Sequence, residues 1–363
     1  MKKSISVFLL VSLLLCACGK EKPAETTAVP TAESTAATTE AVTEPTETTE
    51  ATEPEDLRPR HPITGEPMDG PMGRPLTMTI NNIQAAMPQS GISQADIIHE
   101  VETEGGITRL LALFTDYQNI EKIGAVRSAR TFFVNLSLGY DAVLAHCGGS
   151  AYALNANYDV NGNSVSGWKH IDARSDGAFY RDQDRLNSGY AYEHTLFTNG
   201  EKITNSMKNH DYDTVLEETP DYGFLFSEDA QVNGSTADTV EITFAGSKKT
   251  TMTYNPETGL YEAHQYGKDW IDANTGDPLS FRNVIVIQTR QMKPNGYSSF
   301  YDLNGCSGDG YLALGGKIVP IKWQRDDVKK PFSYTFEDGT PVTFGVGKTY
   351  IAVDSLSGDV SYN

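Results

Sequence analysis

The chain has 363 residues, with 29 Lys and Arg against 48 Asp and Glu, which gives a formal net charge of −19 at neutral pH. An acidic excess of this size argues against nonspecific binding to nucleic acid or to anionic lipid, because both need a basic surface. It leaves room for a local basic pocket. The sequence therefore predicts no nucleic-acid partner.

The N-terminal segment has the features of an export signal. Two lysines at positions 2 and 3 precede a short apolar run that ends in Leu15-Cys16-Ala17-Cys18. The run is too short to span a bilayer, which needs about 20 apolar residues. Its end is typical of a lipobox, so we predict a signal peptide over residues 1–17 and a lipid on Cys18. A plain secretory signal is the alternative. The prediction places the protein outside the cytoplasm, anchored to the outer face of the cytoplasmic membrane.

Residues 18–56 are dominated by Thr, Glu, Ala and Pro. Such a segment cannot bury enough apolar surface to offset the entropy lost on ordering, so we predict a disordered stalk. The remaining residues 57–363 carry 25 Lys and Arg against 38 Asp and Glu, a net charge of −13. A segment of about 307 residues is long for one hydrophobic core, and we expect two domains.

Residues 76–156 alternate between strand-like and helix-like pieces in the order β-α-β-β-α-β-α, and the polar, irregular residues 157–235 are expected to complete the same domain, which extends over residues 57–235. This order predicts an α/β domain of three layers around a mixed, mostly parallel sheet. The first helix is expected to open at Ser93, and the second is expected to be capped by Ser128 and to end at Gly139. The predicted strands are Leu76–Ile80, Arg109–Phe114, Lys122–Val126 and Ala142–His146. Asn199–Lys208 is predicted to be a further short helix.

Residues 236–363 consist of strand-like runs and turns, which predict an all-β barrel or sandwich. The pairs Gly315-Gly316 and Asp338-Gly339 each lie between two such runs and indicate hairpins. The strand candidates are Thr239–Phe244, Thr250–Tyr254, Tyr261–His264, Asn283–Thr289, Tyr311–Leu314, Ile318–Trp323, Phe332–Phe336 and Val342–Phe344.

The segment from Lys122 to Arg130 is the most informative one for function. If a strand ends at Val126 and a helix begins after Ser128, the free N–H groups of the helix and the Arg127 side chain point to the same place. In open α/β sheets ligands bind beyond the carboxyl ends of strands. We therefore predict an anion site there, whose ligand-binding residues are Asn81, Arg109, Arg127, Ser128, Arg130 and Arg181.

Each of these features also has a structural interpretation. Arg127 and Arg130 either bind a ligand or pair with Glu100, Glu102 and Glu104 in a structural network. The same glutamates either lie at a solvated helix end or hold a divalent cation, for which Glu100 and Glu104 are the candidates.

Two histidines, His146 and His194, and two arginines, Arg181 and Arg185, leave similar alternatives. His146 is either a core histidine or an acid/base, and His194, like Arg181 and Arg185, either covers the pocket or lies on an ordinary loop. Glu104, His146 and His194 are thus the catalytic candidates. No cofactor is predicted apart from the optional cation.

Only two cysteines follow Cys18, namely Cys147 and Cys306. No CxxC or CxxH spacing is present, which argues against structural zinc. The two cysteines are either buried free thiols or a disulfide.

The chain resembles the YerB family of bacterial lipoproteins. The resemblance rests on Ser90–Glu100, Glu104–Arg109, Gly124–Arg130, Gly148–Ser150, Phe179–Asp182, His194, Asn283-Val284 and Trp323, and it extends from about residue 70 to residue 355. Ala125, where Pro is expected, and Cys147 depart from the pattern. The family has no settled activity, so the resemblance implies export and a two-part architecture without supplying a reaction.

A weaker likeness is to the LytR-CpsA-Psr proteins, which attach polymers to peptidoglycan from polyprenyl-pyrophosphate carriers. In both, a strand leads through a Ser-x-x-Arg-type turn into a helix, a strand and a Gly-Gly turn. This chain lacks their Arg-Ser-Asp-Thr signature and has Gly106-Ile-Thr-Arg109 in that region. The likeness suggests only a class of ligand.

Three hypotheses follow from the sequence. The first is an envelope module in which Arg109, Arg127 and Arg130 bind a phosphate or carboxylate of a cell-wall or lipid-linked glycan. The second is an enzyme that transfers or hydrolyses a phosphate-linked glycan, with Glu104 or a cation assisting His146 or His194. The third is an adaptor lipoprotein with no small ligand.

Overall fold

The computed structural model describes residues 56–154, 168–244, 248–293 and 299–363. The predicted signal peptide, Cys18 and the stalk up to residue 55 lie outside these residues. The first strands are β1 (Leu76–Asn81), β2 (Ile97–Glu102), β3 (Thr108–Phe114), β4 (Ile123–Gly124), β5 (Val143–His146), β6 (Lys169–Asp172), β7 (Tyr180–Arg181), β8 (Leu196–Thr198), β9 (Leu225–Ser227) and β10 (Ser235–Thr236). The helices are α1 (Thr131–Gly139), α2 (Ala151–Leu154), α3 (Gln183–Asn187) and α4 (Gly200–Asn209), with 3-10 turns at Gln84–Ala86, Ile92–Gln94, Glu104–Gly106 and Tyr192–His194.

The second half of the chain is made of strands. They are β11 (Thr239–Thr243), β12 (Lys249–Asn255), β13 (Leu260–Gln265), β14 (Lys268–Asp269), β15 (Ser280–Phe281), β16 (Asn283–Thr289), β17 (Gln291–Met292), β18 (Phe300–Tyr301), β19 (Cys306–Leu314), β20 (Lys317–Arg325), β21 (Ser333–Thr335), β22 (Thr343–Gly345), β23 (Thr349–Ser355) and β24 (Asp359–Tyr362). Within the part of the chain that the structure describes, no helix is long and apolar enough to cross a membrane.

A mixed sheet of 11 strands forms the centre of the fold, in the order β10-β20-β19-β16-β23-β2-β3-β1-β5-β6, with β21 added to β20. The pairs β16/β23, β23/β2, β1/β5 and β5/β6 are parallel. The others along this path are antiparallel. The prediction of a mostly parallel sheet is therefore wrong, because β3 and the β19–β20 hairpin insert antiparallel neighbours.

The central sheet separates two hydrophobic cores. Alternate residues of one strand point to opposite faces, and along β16 Ile285 and Ile287 belong to one core while Val284 and Val286 belong to the other. The first core includes α1, and the second includes α4 and a six-stranded sheet ordered β14-β13-β12-β11-β24, with β15 paired to β13.

The predicted division at residues 235 and 236 does not separate two sheets. Strands from both sides of that position belong to the same central sheet and meet where β23 pairs with β2. Residues 55–363 also form one compact unit. The second half contributes to an open central sheet and a six-stranded sheet, so the predicted separate barrel or sandwich is not observed.

Two local predictions in the first half are wrong. The segment after Ser93 forms strand β2 and not a helix, because its two edges pair with β3 and β23 and every one of its residues is buried. The expected strand over Lys122–Val126 is reduced to the two residues of β4, which pair with β8 outside the central sheet. The predictions of Asn283–Thr289, the Gly315-Gly316 hairpin and the end of α1 at Gly139 are confirmed.

Candidate functional site

One edge of the central sheet gathers the carboxyl ends of its parallel strands. In this register β1, β5 and β6 run in the same direction, so they end together. The segment before α1 crosses this edge: the Arg127 N–H donates to the Thr79 carbonyl over 2.8 Å, and the Cys147 N–H donates to the Arg127 carbonyl over 2.9 Å. The predicted anion-binding residues are brought together at this edge.

Arg130 is neutralised by Glu104. Its Nε lies 2.7 Å from Glu104 Oε1 and its Nη2 lies 2.8 Å from Oε2, in a pair whose side chains are 13% and 7% exposed. Burial raises the pKa of Glu104, but the hydrogen bonds and charge of Arg130 outweigh this effect and lower it. The structural interpretation therefore applies to Arg130, and both Glu104 oxygens are already occupied.

Ser128 does not cap α1. The residue before the helix is Arg130, and no side chain accepts a hydrogen bond there. Instead, the Ser128 carbonyl accepts a hydrogen bond from Nη1 of Arg109 over 3.2 Å. Arg109 is 6% exposed at the start of β3, and its positive charge also acts on Glu104. The expected site, in which the N–H groups of a helix capped by Ser128 point to the same place as Arg127, is thus not formed.

Arg127 differs from Arg130 in its partners. Its Nη1 donates to the Glu193 carbonyl over 3.2 Å. Its Nε is buried and has no hydrogen-bond partner among the described residues. Burial lowers the pKa of Arg127, the negative charge of Glu193 opposes this, and the positive charges of Arg130 and Arg181 add to the lowering. Arg127 is therefore a half-buried cation with an unused donor and with like charges nearby.

Arg181 is a second positive charge that acts on Arg127. Its Nη1 donates to the Tyr192 carbonyl over 2.6 Å, and its guanidinium lies 3.8 Å from the centre of the Tyr192 ring. The Tyr192 side chain is 64% exposed. Arg181 and Tyr192 thus form a cation–π pair at the surface beside Arg127.

His194 and Asn81 are buried together. Nδ2 of Asn81 donates a hydrogen bond to Nδ1 of His194 over 2.9 Å, because an amide nitrogen can only donate. Burial lowers the pKa of His194. Asn81 is 2% exposed and His194 4% exposed, so both support the wall of the site and neither presents a free group at its surface.

His146 is fully buried, with both ring nitrogens engaged. Nδ1 lies 2.8 Å from the Gly148 carbonyl and Nε2 lies 3.0 Å from Nδ1 of His170, whose ring stacks on Trp168. Because a carbonyl only accepts, His146 carries its proton on Nδ1 and receives a hydrogen bond from His170. Burial lowers the pKa of His146. This geometry corresponds to a hydrogen-bonded core histidine.

The comparisons with known proteins identify the family. Residues 63–213 match the DUF3048 N-terminal domain, and residues 240–351 match the DUF3048 C-terminal domain, both described as proteins of unknown function. The chain belongs to the DUF3048 family. The resemblance to YerB proteins is confirmed: over 285 residues the chain is 27% identical to "Putative lipoprotein YerB" of Bacillus subtilis (strain 168), covering 77% of this chain and 81% of that protein.

A solved member of this family has the same fold. The crystal structure of YerB protein from Bacillus subtilis aligns with a TM-score of 0.71 at 27% identity, covering 84% of this chain and 100% of that one. The two DUF3048 models divide the sequence near the predicted boundary, although the strands of both parts share the central sheet.

Glu100 is a structural residue of this DUF3048 chain. It is fully buried and pairs with Lys248, with Nζ 3.1 Å from Oε1. It also accepts hydrogen bonds from five further side chains: Asn82, Thr108, Thr250, Gln265 and Tyr350. The described residues contain no group of three or more His, Cys, Asp or Glu side chains arranged to hold a metal ion.

Sequence reasoning missed several groups at this edge. Asp172, at the end of β6, binds Nε and Nη2 of Arg174 and the Gly148 N–H. Burial alone would raise the pKa of Asp172, but these hydrogen bonds bring it to about 2. Asp172 ends a short strand and Arg174 lies in the loop after it, within a polar segment that shows no periodic pattern. Cys147 and Cys306 are both free thiols.

Proposed function

We propose that this chain is a lipid-anchored extracytoplasmic protein that binds an anionic group of an envelope glycan or its lipid carrier through Arg127 and Arg181. The extracytoplasmic, lipid-anchored location is supported by the sequence pattern that ends at Cys18 and by the name of the Bacillus subtilis relative, "Putative lipoprotein YerB". The ligand is supported by the side chains around Arg127. Arg130 has its carboxylate partner in Glu104 and is not part of the proposed contact.

The buried Nε of Arg127 carries the proposal. Leaving a buried donor unpaired costs about 1–3 kcal/mol, and more for a charged group. A phosphate or carboxylate oxygen at this atom would accept the missing hydrogen bond and would screen the repulsion from Arg181. Guanidinium groups bind such anions through paired N–H donors. The proposal contains no catalytic step, because Glu104 and His146 are already engaged.

Replacing Arg127 with glutamine tests the ligand. We expect the full chain to bind inorganic pyrophosphate and farnesyl pyrophosphate in titration calorimetry, and we expect Arg127→Gln to weaken binding by at least about tenfold, since a charged hydrogen bond is worth about 1.5–3 kcal/mol. Arg290→Gln is the matched control, because Arg290 is 60% exposed and pairs with Asp302. Equal affinities for the two variants would contradict the proposal, as would a native protein that binds neither probe.

Replacing Cys18 with serine tests the anchor. A serine cannot carry the thioether-linked lipid, so we expect Cys18→Ser to move the protein from the membrane fraction to the soluble fraction of cells. Cys16→Ser serves as the control and should remain in the membrane fraction. Fractionation followed by mass spectrometry of the N-terminal peptide measures both results. A Cys18→Ser protein that is still membrane-bound would rule out this anchor.

A further inference from the structure

A small, partly enclosed space lies between the C-terminal end of α1 and the strands β20 and β21. Its volume is about 10 Å3. This is close to the smallest space that holds one water molecule or one ion of similar size. Its polar lining consists of Arg325, Lys330 and the tyrosines Tyr140, Tyr222 and Tyr334, and none of the residues that line it is acidic.

Arg325 brings a positive charge to this cavity, and none of the described carboxylates pairs with it directly, although the charge of Asp327 acts on it. The residue is 1% exposed. Its guanidinium donates to the carbonyls of Lys330, Asn135 and Val328 and to Oδ1 of Asn304, over 2.6–3.2 Å. All four acceptors are neutral, although a buried cation normally has an anionic partner. A guanidinium has five N–H groups, so one is left over.

Tyr334 brings an unused donor. Its hydroxyl oxygen is buried and has no hydrogen-bond partner among the described residues, and the whole residue is 4% exposed. A phenol O–H donates readily to an anion. The cavity therefore joins a buried positive charge and a free O–H donor in a space that admits only a small occupant.

Gly139 makes this arrangement possible. A Cβ at position 139 would collide with Nη2 of Arg325, so a glycine at the end of α1 lets the guanidinium reach the helix terminus. There Arg325 binds the Asn135 carbonyl over 2.7 Å. The charge is thus placed by the packing of α1 against β20.

We propose that this cavity binds one monatomic anion, chloride under ordinary conditions, between Arg325 and Tyr334. A water molecule would satisfy the Tyr334 hydroxyl but would place no negative charge beside Arg325, on which the charge of Asp327 acts without a direct ion pair. Phosphate, sulfate and carboxylate groups exceed the space. The site shares no residue with the proposed glycan site at Arg127, so a failure of either proposal does not affect the other.

Thermal unfolding of the full chain in sodium chloride and in sodium gluconate at equal ionic strength tests this site. Because a ligand that binds only the native state stabilises it, we expect the melting temperature to be about 2–4 °C higher in chloride, with saturation and with bromide able to replace chloride. Equal melting temperatures in the two salts would overturn the proposal and assign the cavity to water.

Two variants distinguish anion binding at this site from a general effect of salt on stability. Tyr334→Phe removes only the hydroxyl and should fold, and we expect it to lose at least half of the difference between the two salts. Tyr117→Phe is the matched control: Tyr117 is buried in the other core and its hydroxyl contacts Met207, so it should keep the full difference. An unchanged difference in Tyr334→Phe would contradict the proposal, as would bromide-soaked crystals without an anomalous peak beside Arg325.

Discussion

Replacing Lys248 with methionine is expected to lower the free energy of unfolding by about 3–5 kcal/mol, because it leaves a buried carboxylate without its counterion. Lys248 is 5% exposed and Glu100 is fully buried. Nζ of Lys248 also donates to the Lys249 carbonyl and to Oγ1 of Thr250, so all three of its protons are used. Urea denaturation of the full chain measures the loss.

The double variant Lys248→Met with Glu100→Gln provides the control. Removing both charges should cost less than removing the lysine alone, since the neutral amide needs no counterion and can still meet some donors around Glu100. Lys249→Met should have little effect, because Lys249 is 55% exposed in its pair with Glu241. A loss below about 1 kcal/mol in Lys248→Met would show that Glu100 is held by its neutral donors alone.

Replacing Asp354 with asparagine is expected to stabilise the protein by about 2–4 kcal/mol at pH 8 and to change little at pH 4. Asp354 is fully buried at the end of β23, where one oxygen accepts from the Ser355 N–H and Oδ2 has no partner among the described residues. Burial is the main reason that its pKa is raised from 3.8 to about 7, and the negative charges of Glu102, Glu100 and Asp359 add to the increase. The hydrogen bond from Ser355 acts in the opposite direction.

The sign of this effect follows from proton binding. The native state holds the proton of Asp354 up to about pH 7, whereas the unfolded chain releases it near pH 3.8. The associated stability is complete below about pH 4 and is lost as the pH rises towards 7. Asparagine keeps the Ser355 hydrogen bond and removes this loss. Any side chain at Gly358 would collide with the Asp354 carboxylate, so the surroundings leave little room for rearrangement.

Unfolding free energies from pH 4 to pH 8 measure this prediction. The native protein should lose about 2–4 kcal/mol more stability across this range than Asp354→Asn does. Glu102 should contribute a further decline in both proteins, because burial raises its pKa as well. Asp309→Asn is the control, because Asp309 is 70% exposed in its pair with Lys322. Parallel pH profiles for the native protein and Asp354→Asn would show that Asp354 is ionised in the folded state.

The predicted anion site shows which features of a site can be inferred from the sequence. The predicted strand ends at Ile80 and His146 agree with the ends of β1 and β5, and Arg127 lies at this sheet edge, although the strand expected to lead into Arg127 is not part of the central sheet. The sequence left open whether Arg130 binds a ligand or pairs with a glutamate such as Glu104, since the two residues are 26 positions apart and their contact depends on how α1 packs. The same limit applies to Glu100, whose partner Lys248 lies on the six-stranded sheet side of the molecule.

Local patterns by themselves determined the strand Asn283–Thr289, the hairpin at Gly315-Gly316, the end of α1 at Gly139 and the membership in a lipoprotein-like family. Such features depend on propensity, turn geometry and motif, all carried by neighbouring residues. Only the tertiary structure decided that Ile97–Glu102 is a strand and that both halves share one sheet. The six residues Ile-Ile-His-Glu-Val-Glu are too few for their pattern to distinguish a helix from a strand, and hydrogen bonds to β3 and β23 resolve that ambiguity.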